Sequence, residues 1–307
     1  RMDAVKDYFI DSWETLKGRN ISEDDQEMLQ MKFDKMYTTK DIYTIYNWML
    51  DDCGCDLLPE VPYEKRKLPY EDVFPMLYLK YRLSGGNSTH KNIKHLVIDE
   101  MQDYTYLQYT ILESLFHCRM TILGDRAQTL DTKQQDVLRF LPKLLGREIR
   151  TIEIKKSYRN TLEIARYAEK VSGVSDLELL DRHGKEVVEK TFNTDTELLD
   201  ELVCHLKCPG DFETAALITT TEEEAFDLSR LLKLRGINVS YVDRNSSAFK
   251  KGLTVTTFYL AKGLEFDQVF ALRGAKENPL KNQAEYICAT RALHELYVYE
   301  ITDGLSK

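Results

Sequence analysis

The sequence predicts an α/β protein in which a mostly parallel sheet is covered by helices, preceded by a helical segment. From residue 93 onward, short apolar stretches of strand length alternate with segments of helical periodicity, which is the rhythm of βαβ units. Residues 1–92 show helical periodicity without such strands. The 307 residues, 43% hydrophobic and 30% charged, suit a soluble globular protein of about two domains.

Three helices are predicted in the first 92 residues. Ser22 can cap the first helix, and the acidic residues after it favour the positive end of the helix dipole. Thr39 can cap the second helix, whose apolar residues recur at helical spacing. The third spans 70–83, with Pro75 in its interior, and a Gly-rich loop follows at 84–88.

Strands and helices are predicted to alternate in the remainder of the chain. The strands lie at 95–98, 120–125, 149–154, 215–219, 238–242, 253–258, 268–272 and 296–301. The helices lie at 105–116, 134–145, 160–172, 221–235 and 282–294. The first strand, HLVI, has no alternation of polar and apolar residues and is therefore predicted to be buried on both faces. Residues 174–210 are less regular and suggest a small insert or edge structure.

Composition narrows the classes of function. The net charge of −9 argues against a general electrostatic binder of nucleic acid, although local basic stretches at 65–67 and 155–159 leave room for a groove. No apolar run approaches the ~20 residues that cross a membrane. The six cysteines lack paired CxxC motifs, so we expect a reduced, cytoplasmic protein. The chain begins with Arg1, as a piece of a longer protein would.

Two adjacent carboxylates, Asp99 and Glu100, follow the strand at 95–98. Open α/β sheets place their ligands at the carboxyl ends of strands. Neighbouring acids repel each other, and a cation or a proton transfer is the usual compensation. Nucleotide hydrolysis uses both, with one carboxylate near Mg²⁺ and another that orients and deprotonates the attacking water. On their own, the two acids are more typical of a solvated acidic turn.

Two later strings also place polar residues after strands. Asp125 and Gln128 follow the strand at 120–125 and are expected to face the same edge as the two acids. The string TTFYLAKGLEFD at 256–267 is the longest specific one. Its threonines and its turn suit contacts with phosphate, and Glu265 can accept hydrogen bonds from a sugar hydroxyl.

Two arginines occupy unusual positions. Arg159 lies between a predicted strand and a helix, where it can reach a phosphate with two hydrogen bonds; a surface ion pair is the alternative. Arg291 lies on an otherwise apolar helical segment, YICATRA at 286–292. Burying an arginine there without an anion is costly, which favours an arginine finger over a surface charge.

Together these strings resemble the motifs of the UvrD-like superfamily 1 helicases. IDEMQD resembles the DExQD box of that family, LGDRAQ its GDxxQ motif, SYRN its arginine motif, TTFYLAKGLEFD its TxHxxKGLEFD motif and YICATRA its YVxxTRA box. All five occur in the family's order between residues 95 and 292. The sequence of the SYRN motif and the helical segment before the DExQD box are most similar to those of the DNA helicase IV and HelD branch. Tyr259 stands where the family has His, which puts a role there in doubt.

The resemblance implies a P-loop NTPase fold with RecA-like parallel sheets, helices on both faces, and a set of roles. Those toward ATP and its metal are water-mediated Mg²⁺ binding by Asp99, activation of water by Glu100, γ-phosphate sensing by Gln128, charge stabilisation by Arg159 and Arg291, ribose binding by Glu265 and a nucleotide contact by Asp125. Those toward single-stranded DNA fall to Thr257, which would bind a phosphate, and to Lys262.

The resemblance also implies domain boundaries. Residues 1–92 would be the end of helicase subdomain 1B or an insert, residues 93–150 the C-terminal part of the first RecA-like domain, and residues 151–307 the second RecA-like domain. No GxxxxGK[ST] string occurs, so a backbone nest for the phosphates and its lysine are missing from this sequence. We therefore expect the C-terminal motor portion of an ATP-dependent DNA translocase, inactive without the N-terminal Walker A part of the same protein.

Two other functions fit the same sequence. HelD-type relatives act on RNA polymerase rather than unwinding DNA, and the helical N-terminal segment would then belong to a partner-binding surface. A degenerate helicase that serves as an interaction module is the second alternative. Neither alternative involves a membrane.

Overall fold

The computed structural model describes residues 2–18, 20–36, 41–84, 90, 92–130, 137–146, 149–174, 177–207, 212–246, 251–274 and 278–302. The chain divides into two units. One comprises Arg1–Ile93 and Leu107–His117, and the other comprises Lys94–Tyr106 and Cys118–Lys307. Within the described ranges, none of the helices combines the length and apolar character that crossing a bilayer requires.

The first unit is helical, as predicted. Its helices are α1 (Met2–Lys17), α2 (Glu23–Met36), α3 (Ile42–Asp52), α4 (Tyr70–Ser84) and the Leu107–Leu115 part of α5 (Tyr106–Leu115). Ser22 caps α2 by accepting a hydrogen bond from the backbone N–H of Asp25. The cap of α3 is Asp41, in place of the predicted Thr39, which lies outside the described residues. The core of this unit joins α3 to α4 through Tyr43, Tyr46, Leu50, Leu58, Met76 and Leu79.

The second unit contains a sheet whose described strands are all parallel. In order across the sheet they are β5 (Val188–Phe192), β10 (Ala292–Ile301), β9 (Phe266–Arg273), β6 (Thr214–Thr219), β8 (Gly252–Thr257) and β7 (Val239–Tyr241). Parallel neighbours need crossover connections, and α10 (Lys281–Arg291) supplies the one between β9 and β10. This sheet with its flanking helices fits the RecA-like α/β fold, which confirms the predicted fold class.

Helices cover both faces of this sheet because successive residues of each strand point to opposite sides. On β6, Ala216 and Ile218 face a core formed with α7 (Leu162–Ser172) and α10 (Lys281–Arg291). The alternate residues, Ala215 and Leu217, face a core formed with α8 (Asp195–Lys207) and α9 (Glu222–Leu234). The strand is therefore apolar without alternation, as expected for a parallel strand buried on both sides.

A separate pair of parallel strands precedes the acidic motif, which is the string IDEMQD at 98–103. The strands β1 (His95–Ile98) and β2 (Arg119–Ile122) pair from His95 opposite Arg119 to Ile98 opposite Ile122. The prediction that β1 is buried on both faces is wrong: Ile98 is 4% exposed, but Val97 is 61% exposed. The described residues cover one face of this small sheet, whereas an apolar parallel strand needs cover on both.

One further prediction was wrong, and another was confirmed in part. Residues 149–154 were predicted to form a strand, yet they lie in a loop, and the strand is the short β3 (Lys156–Ser157), paired with β4 (Glu178–Leu179). Residues 174–210 were predicted to form a small insert or edge structure, and their described part includes β5 at the edge of the main sheet together with the helix α8 on its face. The sequence of β5, VEKTF, has few apolar residues because an edge strand has only one neighbour and little buried surface.

The second unit also contains the helix α6 (Val137–Leu145), which lies between β2 and β3 in the sequence.

Gly124, which follows β2, allows the acidic motif to approach β2 closely. A Cβ atom at this position would lie 2.4 Å from Cγ of Met101 and 2.7 Å from its backbone nitrogen. The backbones meet here because the Met101 N–H donates to the Leu123 carbonyl at 2.8 Å. Glycine is therefore required by space at this position, not by an unusual φ.

We predict that Gly124→Ala destabilises the second unit by about 3 kcal/mol, near the upper end for overpacking. Urea denaturation measures the loss. The matched control is Gly236→Ala, where φ is +80° but the space around a Cβ is open, so only the backbone strain of about 1 kcal/mol is expected. Equal losses at the two positions would contradict the close approach at Gly124.

Candidate functional site

Glu100 has a strained backbone at the end of β1. Its φ of 53° and ψ of 47° place it in the left-handed region, and among the described non-glycine residues it is the one with positive φ. Such a conformation costs a side-chain-bearing residue roughly 1–2 kcal/mol and persists where surrounding contacts fix it. Its N–H donates to Oδ1 of Asp99 at 2.8 Å, and its Oε2 accepts from the Gln102 amide at 2.5 Å. These two contacts hold the turn and the Glu100 carboxylate in place.

The end of β2 lies beside this acidic turn, as the sequence predicted. The backbone N–H of Asp125 donates to Oε1 of Gln102 at 3.0 Å, so one glutamine side chain joins both motifs. The carboxylate of Asp125 accepts from the N–H of Ala127 and from Nε2 of Gln128, at 3.0 and 2.9 Å. Asp125 thus caps its own turn and orients Gln128.

Arg291 comes from the last turn of α10 and meets Gln128. The guanidinium Nη2 donates to Oε1 of Gln128 at 3.2 Å, and the residue is only 2% exposed. Burial lowers the pKa of Arg291, and the nearby charge of Arg159 lowers it further, while Glu100 and Glu265 act in the opposite direction. Within the described part of the chain, Nε of Arg291 is buried without a hydrogen-bond partner.

Lys262, in the turn after β8, is held by acceptors from both motifs of the smaller sheet. Its Nζ donates to Oδ2 of Asp103 at 2.6 Å and to the backbone carbonyl of Gln128 at 2.9 Å. Oε2 of Glu100 lies 3.6 Å away. The side chain is 9% exposed, so this lysine, predicted to contact nucleic acid, lies among carboxylates and not on an open surface.

Arg159 and Glu265 form an ion pair at 2.8 Å, the alternative that the sequence left open. Both side chains are nearly half exposed, and such a pair contributes little to stability, about 0–1 kcal/mol. Next to the pair, the side-chain amide of Asn160 donates to the backbone carbonyls of Ala289 and Ala292, at 3.3 and 2.6 Å. This buried amide fixes the start of α7 against the end of α10, which brings Arg159 toward Arg291.

Asp99 and Thr257 have contrasting surroundings. Asp99 is exposed, and among the described residues no group of three His, Cys, Asp or Glu side chains could enclose a metal ion. The predicted role of Asp99 in binding Mg²⁺ stays a prediction. Thr257 is buried at the end of β8, and its hydroxyl is without a partner within the described ranges. Its predicted contact with a DNA phosphate stays a prediction.

Tyr259, at the position where the helicase motif has His, is tied to α9. Its hydroxyl donates to Oε1 of Glu222 at 2.9 Å, and Nε of Arg244 contacts the same oxygen at 2.8 Å. The hydroxyl of Tyr259 is therefore bound to a residue of α9.

Several residues that build the site escaped the sequence prediction. Gln102 and Asn160 join motifs, Tyr286 donates to Oδ2 of Asp125 at 2.9 Å, and Arg182 donates to the backbone carbonyl of Arg159 at 3.1 Å. Tyr286 and Asp125 are separated by 161 residues, so no local spacing reveals their contact. The position of Tyr286 within the YICATRA string was the available signal.

No family model and no curated protein matches the chain. A solved structure to which it is similar is described as the C-terminal domain of a possible DNA helicase from Lactobacillus plantarum WCFS1. The two share 27% sequence identity, and the match covers 49% of this chain and 90% of that one, with a TM-score of 0.41. This TM-score is too low to transfer a function, so the proposals below rest on the motifs and on the geometry of the site.

We predict that Glu100→Gly is more stable than Glu100→Ala by about 0.5–1 kcal/mol, because glycine adopts the left-handed conformation without a steric penalty. Both variants lose the same carboxylate, so their difference isolates the backbone strain. Urea denaturation of the two variants provides the measurement. As a control in the neighbouring turn, Ala127→Gly should destabilise the protein, the usual sign for glycine. A less stable Glu100→Gly variant would exclude the strain.

Proposed function

We propose that this chain is the C-terminal motor portion of an ATP-driven DNA translocase of the UvrD-like superfamily 1 type, nearest to the helicase IV and HelD branch. One observation carries the proposal: a buried Arg291, with Nε unpartnered among the described residues, contacts Gln128 in the cluster that contains Glu100. Five motifs in the order of the family support it independently. The activity would couple ATP hydrolysis to movement along single-stranded DNA.

The residues of the candidate site have complementary roles in this proposal. Arg291 and Arg159 stabilise negative charge on the transferring phosphoryl group, and each such arginine can contribute ~10³–10⁵ in rate. Glu100 orients the attacking water and accepts its proton, and Gln128 contacts the same water or the phosphate. Asp99 would help to hold Mg²⁺, which when bound would neutralise phosphate charge.

The contact between Arg159 and Glu265 suggests how the site responds to a nucleotide. An exposed ion pair is weak, so Arg159 can exchange the carboxylate for a phosphate at small cost. Glu265 is then available for the ribose hydroxyls, the role that the resemblance implies.

The phosphate-binding loop has to come from another segment. We propose that a P-loop-bearing α/β segment of the same protein covers the open face of β1 and β2. The exposure of Val97 supports this, because a parallel strand is normally covered on both faces. Such a segment would also continue the two-stranded sheet, whose described strands each have a single neighbour.

The test compares the purified chain with the longer protein that we propose, which would be expressed from the full reading frame and would include the P-loop segment. We expect no ATP turnover by this chain and ATP turnover stimulated by single-stranded DNA in the longer protein. In the longer protein, Glu100→Gln and Arg291→Lys should each lower kcat by about 10³. Arg235→Lys is the control, because Arg235 pairs with Asp200 on the surface of α8 and α9. ATP turnover by this chain that Glu100→Gln abolishes would contradict the proposal that its site lacks the phosphate-binding loop.

A binding experiment separates DNA from the alternative partner. We expect the longer protein to shift single-stranded DNA in a salt-sensitive manner, because contacts with phosphate release counterions. Capture of RNA polymerase without a DNA shift would instead support the polymerase-directed function. Binding to neither partner would leave the interaction-module alternative and overturn the translocase proposal.

A further inference from the structure

The orientation of the Gln128 side chain is determined by two oppositely charged neighbours. Its Nε2 donates to Oδ2 of Asp125, and its Oε1 accepts from Nη2 of Arg291. Rotating the amide by 180° would place its NH₂ against the guanidinium and its oxygen against the carboxylate. Since Gln128 is buried, water cannot relieve either repulsion. One orientation is therefore strongly preferred.

Asp125 holds this orientation only while its own carboxylate is fixed. Oδ1 accepts from the backbone of Ala127, and Oδ2 accepts from both Gln128 and the hydroxyl of Tyr286, each at 2.9 Å. The hydroxyl thus provides a contact to the carboxylate from outside its own turn. Without it, the acceptor of the Gln128 amide is held by the turn alone.

Tyr286 is suited to act as a permanent donor. It is 8% exposed, and burial together with the nearby Asp125 raises its pKa well above the ordinary value for tyrosine. The hydroxyl therefore stays protonated throughout the physiological range and donates to the carboxylate. Tyr286 and Arg291 both belong to α10, so one helix contacts both ends of the chain of hydrogen bonds through Asp125 and Gln128.

We propose that Tyr286 is a positioning residue for Gln128: through Asp125, it fixes the amide so that Oε1 faces Arg291. This orientation follows from hydrogen bonds within the chain and can be tested without ATP. Its effect on ATP hydrolysis rests on the proposed function, in which Gln128 contacts the phosphate or the attacking water. Tyr286 touches neither in this proposal.

The test removes one hydroxyl and observes the amide directly. With selective ¹⁵N-glutamine labelling of this chain, Gln128→Ala identifies the side-chain resonances of Gln128. In Tyr286→Phe we expect the water-exchange rate of the two amide protons to rise about tenfold and their chemical shifts to move. The aromatic ring remains, so the core packing around α10 is preserved.

Tyr167→Phe is the matched control. Tyr167 is also 8% exposed and its hydroxyl also donates to a carboxylate, that of Glu285 at 3.1 Å. The Tyr167 hydroxyl also accepts from Arg273 at 3.0 Å, so Tyr167→Phe should lower Tm at least as much as Tyr286→Phe, but the Gln128 amide should change only in Tyr286→Phe. The same amide response in both variants, or in neither, would overturn the positioning role. Asp125→Ala provides a second check and should give a larger exchange rate than Tyr286→Phe.

The effect of Tyr286 on ATP hydrolysis is measured separately, in the longer protein that includes the P-loop segment. There Tyr286→Phe should lower kcat about tenfold and leave KM for ATP unchanged. An altered Gln128 amide in the NMR experiment, without any ATP turnover in the unsubstituted longer protein, would overturn the proposed function but not the positioning role of Tyr286. An unchanged kcat together with an unchanged amide would overturn the positioning role alone.

Discussion

The ammonium group of Lys262 is the constraint on which the candidate site depends. A nearly buried charge requires acceptors on every side, and here they come from two turns that belong to the smaller sheet. Asp103 and Glu100 supply carboxylates, and Gln128 supplies its backbone carbonyl. The lysine itself follows β8 of the larger sheet. One side chain therefore fixes the relation among three motifs that are far apart in sequence.

The site keeps features that lower stability. Glu100 has a left-handed backbone, Arg291 is buried with an unpartnered nitrogen among the described residues, and the Thr257 hydroxyl is similarly unpartnered. Strain and unpaired polar groups concentrate where a protein binds or transforms a ligand. In the proposed function an anion would offset part of the cost of burying Arg291, which would couple ligand binding to local stability.

The sequence predicted most of the strands and helices because parallel strands buried on both faces contain continuous apolar runs, as at 215–218 in β6 and 269–272 in β9. It did not locate β5 as a strand, because an edge strand needs few apolar residues, and it placed a strand at 149–154, where the structure has a loop. The five motifs were proposed from sequence, whereas the linking roles of Gln102, Asn160 and Tyr286 within them were not. Contacts such as Arg291 with Gln128 depend on tertiary packing, which leaves no pattern of spacing.

A double-mutant cycle between Lys262 and Asp103 tests the central claim most directly, since these residues join the turn after β8 to the acidic motif. The free energies of unfolding of Lys262→Met, Asp103→Asn and the double variant would be compared with that of the unsubstituted chain. In this directly bonded pair the Lys262 side chain is 9% exposed and the Asp103 side chain is 31% exposed, which predicts a coupling of about 1–2 kcal/mol. Additivity within about 0.5 kcal/mol would show that the two motifs are not joined in this way.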